Sequence, residues 1–501
     1  MKKSGILSGA LILSIGGVLA KLFSAIYRII LTRILGGEGI GLYQLIFPIY
    51  SLCVVLATAG LPMAISKVIA KNNGKEISVL KKCFMFTGIV ALSLTFLLIV
   101  TSKGLSILQG QRDIYICYLI LAPTIIVISI ASVLRGYFQG KHNFIPSAIS
   151  NICEQFVKLC VGLILSLSLI SIGILPAIIG AVIGIVLSEV VSLFILVIYI
   201  KKEKLKNQEK SNITIKEISK DVIPITLTNI ILPISSFLDS ILVVNLLSIN
   251  FSNNVSVFLY GLESGAVSSL ISLPTIFSFA IASVILPNIT FEKNIFNKSK
   301  KLSMAIRIVL LITIPCVVCF TLVPHRLIEF LYQNKLDAFG INGLKIASTL
   351  LVWSGVGVVF LAINQVYSSC LQAVEERFVT IRNLSIAVIA KFVIELIFMP
   401  NKFLNIYILA VANTVCYALV MILNHFEIKE NFSVSFNYDF TAKFIFSNCI
   451  FVLTLVFLMS LSKSGLNTVF SVLLAMISYF VCLWQTNIIT KSDKAFFKYR
   501  V

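Results

Sequence analysis

Long stretches without a charged side chain govern every other reading of this sequence. Residues 83–102, 114–134, 264–291, 346–374, 403–426, 444–462 and 464–490 contain no Asp, Glu, Lys or Arg. A helix needs about 20 apolar residues to cross the ~30 Å hydrocarbon core of a bilayer, and each run meets or approaches that length. Membrane barrels use strands of about 10 residues that alternate polar with apolar, a pattern these runs lack. The chain is 58% hydrophobic and 12% charged, against roughly half and a quarter in soluble domains. A soluble enzyme, a disordered tail protein and a secreted disulfide scaffold are all excluded. The expected fold class is all-α, a polytopic membrane protein.

Apolar length, broken at prolines and charge clusters, gives fourteen expected spans. They centre on 5–31, 42–68, 83–101, 114–134, 147–170, 176–200, 222–247, 264–286, 304–323, 343–366, 383–400, 406–424, 443–460 and 467–489. The first apolar run follows Lys2 and Lys3 but continues through Lys21 and Arg28 into further spans. It therefore reads as a span, not a cleaved signal peptide. Basic residues set the orientation. With the N-terminus in the cytoplasm, the inside segments hold 28 Lys and Arg, the outside segments 7, and the spans or their ends the remaining 6. Both termini are expected in the cytoplasm, in the cell membrane. The net charge of +20 then reports orientation and attraction to anionic membrane lipids. No nucleic-acid partner follows, because the charge is not gathered on one soluble domain.

Cysteine and histidine suggest no redox or metal chemistry. Most of the 11 Cys lie inside apolar runs, where a thiol packs as a small hydrophobe. Cys316 and Cys319 have CxxC spacing but no second pair, and His142, His325 and His425 lie far apart, so no metal site is expected. No GxxxxGK[ST] run occurs, so no ATP is expected, and no other cofactor. The GGEGIG string at 36–41 joins two membrane helices, not a strand and a helix.

The Lys-rich segment 201–221 divides six spans from eight and reads as a basic cytoplasmic linker. Its two sides are weakly alike. Pro48 and Pro62 stand 14 apart, Pro274 and Pro287 stand 13 apart, and a Leu precedes the second proline of each pair. The expected organisation is a first transmembrane lobe at 1–200, the linker, a second lobe at 222–430, and two additional C-terminal helices at 431–501. Two six-helix lobes related by duplication are a transporter architecture.

Several segments carry a family resemblance. They are AKLFSAIYRIILTRILGGEGIGLY at 20–43, RGYFQG at 135–140, NICEQFVK at 151–158 and VIPITLTNIILPISSFLDSILV at 222–243. They resemble the stage V sporulation protein B and polysaccharide-exporter group of the multidrug/oligosaccharidyl-lipid/polysaccharide flippase superfamily, which is related to the peptidoglycan lipid II flippase. The resemblance implies a flippase of a lipid-linked oligosaccharide or lipid II-like substrate, an undecaprenyl-pyrophosphate precursor for cell wall or spore cortex. The lipid II flippase pattern has cations in its first, second and eighth spans. Lys21 matches the first of these by order, but Tyr27 stands at the next basic position, with Arg28 one residue later. The span at 264–286 has no Lys or Arg. Alternatives are a cation-coupled multidrug exporter of the same superfamily, a glycan polymerase, and a non-transporting scaffold.

Ionisable residues inside spans are costly and mark cavities or partners. Lys21 and Arg28, seven apart, project from one helix face. They read as a substrate-binding clamp for pyrophosphate, with Arg supplying planar donors and Lys a point charge, or as snorkelling side chains. Glu154 and Lys158 are four apart in the fifth span, as are Lys391 and Glu395 in the eleventh. Each reads as a cavity or ion-coupling pair, or as a structural pair. Asp239, the single charge of its span, is expected to pair with Lys21 or Arg28 or to bind H+ or Na+. Glu189 is expected to pair structurally.

Overall fold

The computed structural model describes residues 3–71, 76–203, 215–290, 292–374, 376–432, 434, 438–461 and 465–488. Most of the linker (204–214) and both terminal segments (1–2 and 489–501) lie outside the described residues. The chain divides into two compact units, Met1–Gly265 and Ala266–Val501.

Unit 1 contains α1 (Lys3–Thr58), α2 (Leu61–Lys71), α3 (Glu76–Leu108), α4 (Tyr115–Leu121), α5 (Thr124–Gly140), α6 (Ile145–Leu169), α7 (Ile174–Lys202), α8 (Ile215–Leu247) and α9 (Asn253–Gly261). Unit 2 contains α10 (Ser268–Thr290), α11 (Ile295–Leu322), α12 (Pro324–Tyr332), α13 (Gly343–Ala373), α14 (Arg377–Phe398), α15 (Tyr407–Asn431), α16 (Tyr438–Leu461) and α17 (Gly465–Gln485). No strand occurs among the described residues; the nearest is an isolated bridge between Ala338 and Ile341.

Among the described residues, twelve segments are long and apolar enough to cross a membrane. They match the sequence reading of fourteen once two features are noted. The first and second expected spans run together in α1 and α2, with a break at Gly36 (φ 70°, ψ −174°). That left-handed φ suits glycine, which has no Cβ to clash. In addition, α14 bears Arg377, Arg382, Lys391 and Glu395, too many charges to pass as an apolar span by composition. The protein is therefore an all-α, multi-pass membrane protein.

Helix α3 turns many small and polar residues inward and large apolar ones outward. In α3 the buried positions include Thr87, Ala91, Thr95, Ser102 and Ser106, whereas Leu92, Phe96 and Val100 are exposed. A water-soluble helix shows the opposite pattern. Lipid rewards no burial of Leu, so small residues that permit close backbone approach occupy helix contacts. Inward hydroxyls find backbone acceptors. Thr87 donates to the Cys83 carbonyl at 2.6 Å, and Ser129 to that of Ile125 at 2.6 Å. Such bonds satisfy polar groups where water is absent.

In unit 1, one apolar core joins Leu61, Ile65 and Ile69 of α2 with Val79 and Leu80 of α3, Leu134 and Phe138 of α5, and Leu196 of α7. Two apolar cores lie in unit 2 among its described residues. One packs α10, α11, α13 and α15 around Ile285, Val309, Val366 and Ile428. The other seats α16 and α17 on α11 through Phe451, Leu455 and Tyr479, and the Tyr479 hydroxyl donates to the Leu311 carbonyl at 3.0 Å.

Candidate functional site

Small residues bring the charge-bearing helices of unit 1 together. A Cβ at Gly184 of α7 would collide with the backbone of Gly162 of α6, and one at Gly180 would meet Leu165 at 2.8 Å. On the other side of α6, a Cβ at Gly16 of α1 would lie 3.1 Å from the Ala148 side chain, and one at Gly162 would lie 3.0 Å from the Tyr27 ring. Helices in such contact set their side chains within reach of one another.

Arg135 of α5 organises this region. One of its terminal nitrogens donates to Glu154 of α6 at 2.8 Å and to Ser192 of α7 at 2.7 Å, and its Nε donates to Ser150 at 3.4 Å. The other oxygen of Glu154 accepts from Gln155 at 2.8 Å. Lys158, one turn beyond Glu154, places its ammonium over the rings of Tyr27 (5.2 Å) and Phe47 (5.6 Å) of α1. A cation over an aromatic face is attracted by the ring quadrupole. Glu154 is thus ion-paired across helices with Arg135, and Lys158 is drawn to aromatic rings. Glu189 of α7 lies within electrostatic range of Glu154, Arg135 and Lys158. It is 9% exposed, and among the described residues its Oε2 has no hydrogen-bond partner.

Lys21 and Arg28 both lie on α1 and are half-buried. Arg28 acts electrostatically on Tyr27, Tyr43 and Lys158, which places it beside the same cluster. Asp239 is half-buried on α8, which packs against α1. Its neighbour Ser240 accepts from the Gln109 amide at 3.0 Å.

The remaining pair belongs to unit 2. Lys391 and Glu395 of α14 lie 3.7 Å apart and are 3% and 0% exposed. Next to α14 runs a chain of amides: Asn383 donates to Asn424 of α15 at 2.9 Å, and Asn424 to Asn364 of α13 at 2.7 Å. No group of three or more His, Cys, Asp or Glu placed to hold a metal occurs among the described residues.

Sequence reasoning missed Arg135. The charge-free run ends at 134, so the segment expected in the cytoplasm, 135–146, begins at Arg135, whereas α5 continues to Gly140. The signal available was its place in the RGYFQG motif.

Residues 6–292, more than half of the chain, match the model of the polysaccharide biosynthesis protein family. The chain belongs to this family. Within reach by sequence is the stage V sporulation protein B of Bacillus subtilis (strain 168), 28% identical over 354 residues, which cover 67% of this chain and 68% of that protein. The lipid II flippase MurJ of the same organism is 23% identical over 459 residues, 84% of this chain and 83% of that protein. Among solved structures, an inward closed conformation of a lipid II flippase MurJ superposes with a TM-score of 0.73 at 18% identity, covering 94% of this chain and 98% of that one. This member of the polysaccharide biosynthesis family thus shares the flippase fold over nearly its whole length.

Proposed function

We propose that this protein is a flippase, not an enzyme, that moves a lipid-linked glycan precursor across the cytoplasmic membrane by alternating access. The cargo class is an undecaprenyl-pyrophosphate-linked precursor of cell-wall or spore-cortex peptidoglycan. Sequence similarity to a lipid II flippase over 84% of the chain carries this reading, and the likeness to a sporulation protein supports the cortex as its setting. The protein sits in the cell membrane with both termini cytoplasmic. Residues 1–200 and 222–430 act as the two lobes, 201–221 as their linker, and 431–501 as added helices.

The basic residues of unit 1 suit an anionic headgroup. Lys21 and Arg28 are the proposed substrate-binding residues. Arg28 offers paired donors to phosphate oxygens, and Lys21 adds a charge two turns away. No nucleotide is required for direction, because the membrane potential favours outward movement of an anion by about 2.3 kcal/mol per charge per 100 mV. Asp239 and the Lys391–Glu395 pair are proposed ion-coupling positions, for H+ or Na+.

Reconstitution in liposomes with a dansyl-labelled lipid-linked precursor tests the reading. Wild-type protein should render the headgroup accessible to an impermeant quencher on the opposite face, and Lys21→Ala should lose this while remaining folded. Absence of movement with wild-type protein refutes the flippase reading. Full activity in Lys21→Ala refutes the clamp alone.

A further inference from the structure

The two carboxylates in the unit 1 cluster are served unequally. Both oxygens of Glu154 accept hydrogen bonds, one from Arg135 and one from Gln155. Glu189 is nine-tenths buried, and its Oε2 has no partner among the described residues. The nearby cations are already engaged: Arg135 with Glu154, Ser192 and Ser150, and Lys158 with two aromatic rings.

The groups facing Glu189 come from each helix packed on α7. From α6 come Glu154 and Lys158, from α5 Arg135, and from α1 the Tyr50 hydroxyl. That hydroxyl accepts from Thr124 at 3.2 Å. The adjoining α4 carries Tyr115, Cys117 and Tyr118, and the Tyr118 hydroxyl donates to Gln109 at 2.5 Å. An ionised carboxylate seeks donors on both oxygens and avoids a second carboxylate. A protonated one needs fewer donors and tolerates that neighbour. The observed arrangement suits the neutral acid. An ionised Glu189 would compete with Glu154 for Arg135, whose hydrogen bonds already join α5 to both α6 and α7.

We propose that Glu189 is a proton-binding site of unit 1, loaded in the arrangement described. Loss of its proton to solvent water leaves a carboxylate that draws Arg135 from Glu154, so the contacts among α5, α6 and α7 depend on whether the proton is bound. This deepens the transporter reading and rests on it: a proton taken up on one face and released on the other is a coupling ion.

The test has one arm that does not depend on transport. Dicyclohexylcarbodiimide modifies protonated carboxyls in apolar surroundings, and peptide mass spectrometry locates the adduct. In wild-type protein at neutral pH, Glu189 should be modified and ion-paired Glu154 spared. Labelling should fall about tenfold per pH unit once Glu189 ionises. No adduct at Glu189 at any pH, or equal labelling of Glu154, overturns the proposal. Protection of Glu189 by Na+ at constant pH also overturns it, in favour of a metal cation. The second arm uses proteoliposomes with an imposed pH gradient. Precursor movement should respond to the gradient in wild-type protein and lose that response in Glu189→Gln. A response that persists in Glu189→Gln, or wild-type movement indifferent to the gradient, overturns the coupling role. Absence of any wild-type movement counts against the flippase reading, while the labelling arm still decides the proton site.

Discussion

Arg135 shows how one side chain can hold three helices, and why such a residue escapes a reading of spans. Its guanidinium reaches Glu154 and Ser150 on α6 and Ser192 on α7, geometry that a planar fork of donors allows and an ammonium does not. Removing one partner of a largely buried ion pair leaves the other charge without compensation, at a cost on the order of 3 kcal/mol. Arg135→Ala should destabilise the protein by about that much, measured by thermal or denaturant unfolding in mild detergent. Arg135→Lys should recover only part of the loss. The double variant Arg135→Ala/Glu154→Gln should be more stable than Arg135→Ala alone, because the stranded carboxylate is gone. If the two single effects simply add, the pair contributes no coupling and Glu154 is held by something else. Lys21, Arg28, Glu154, Lys158 and Asp239 were visible in the sequence because a charge within an apolar run is conspicuous. The partner of Glu154 was not, because spacing along one helix reports only neighbours on that helix. The i, i+4 rule put Lys158 within reach of Glu154, yet the donor that bonds it, Arg135, came from another helix.

The helices themselves were legible from apolar length, since a bilayer demands it whatever the partners. Their contacts were not, because glycine in a membrane helix looks alike whether it faces lipid or a neighbouring backbone. Gly184 and Gly88 illustrate the difference. A Cβ at Gly184 would run into the Gly162 backbone, whereas one at Gly88 of α3 meets nothing within 4 Å. Gly184→Ala should push α7 from α6 and cost about 1–3 kcal/mol as overpacking. Gly88→Ala should be neutral or stabilise by up to about 1 kcal/mol, because alanine favours the helix. Paired unfolding measurements on the two variants decide this, and equal effects would deny a tight α6–α7 contact. The same displacement would separate Glu154 and Lys158 from Ser192 and Glu189, so Gly184→Ala should also impair precursor movement. Helix α14 was expected as the span at 383–400 despite its four ionisable residues. Two of these, Lys391 and Glu395, are buried as a pair, so they do not prevent a span.

At the scale of the whole molecule, the property most open to direct test is orientation. The 28 Lys and Arg assigned to inside segments against 7 outside make a strong asymmetry, and such a bias sets which loops stay in the cytoplasm. Leaving Arg135 of α5 and Arg307 of α11 out of the inside count does not change its sign. The expected topology puts the turn at His142, between α5 and α6, in the cytoplasm, and the turn at Phe403, between α14 and α15, outside. Both positions are exposed, Phe403 at 90%, so labelling at either depends on the face of the membrane and not on burial. In a cysteine-free background, His142→Cys should resist an impermeant maleimide in intact cells and react after permeabilisation. Phe403→Cys should react in intact cells. The reverse pattern would invert the molecule and with it the direction in which the potential drives an anionic headgroup. Reaction of both positions in intact cells would mean an even number of spans between them. The expected number is seven, with α6, α7, α8, the α9–α10 segment, α11, α13 and α14 crossed in turn, and an odd count places the two turns on opposite faces.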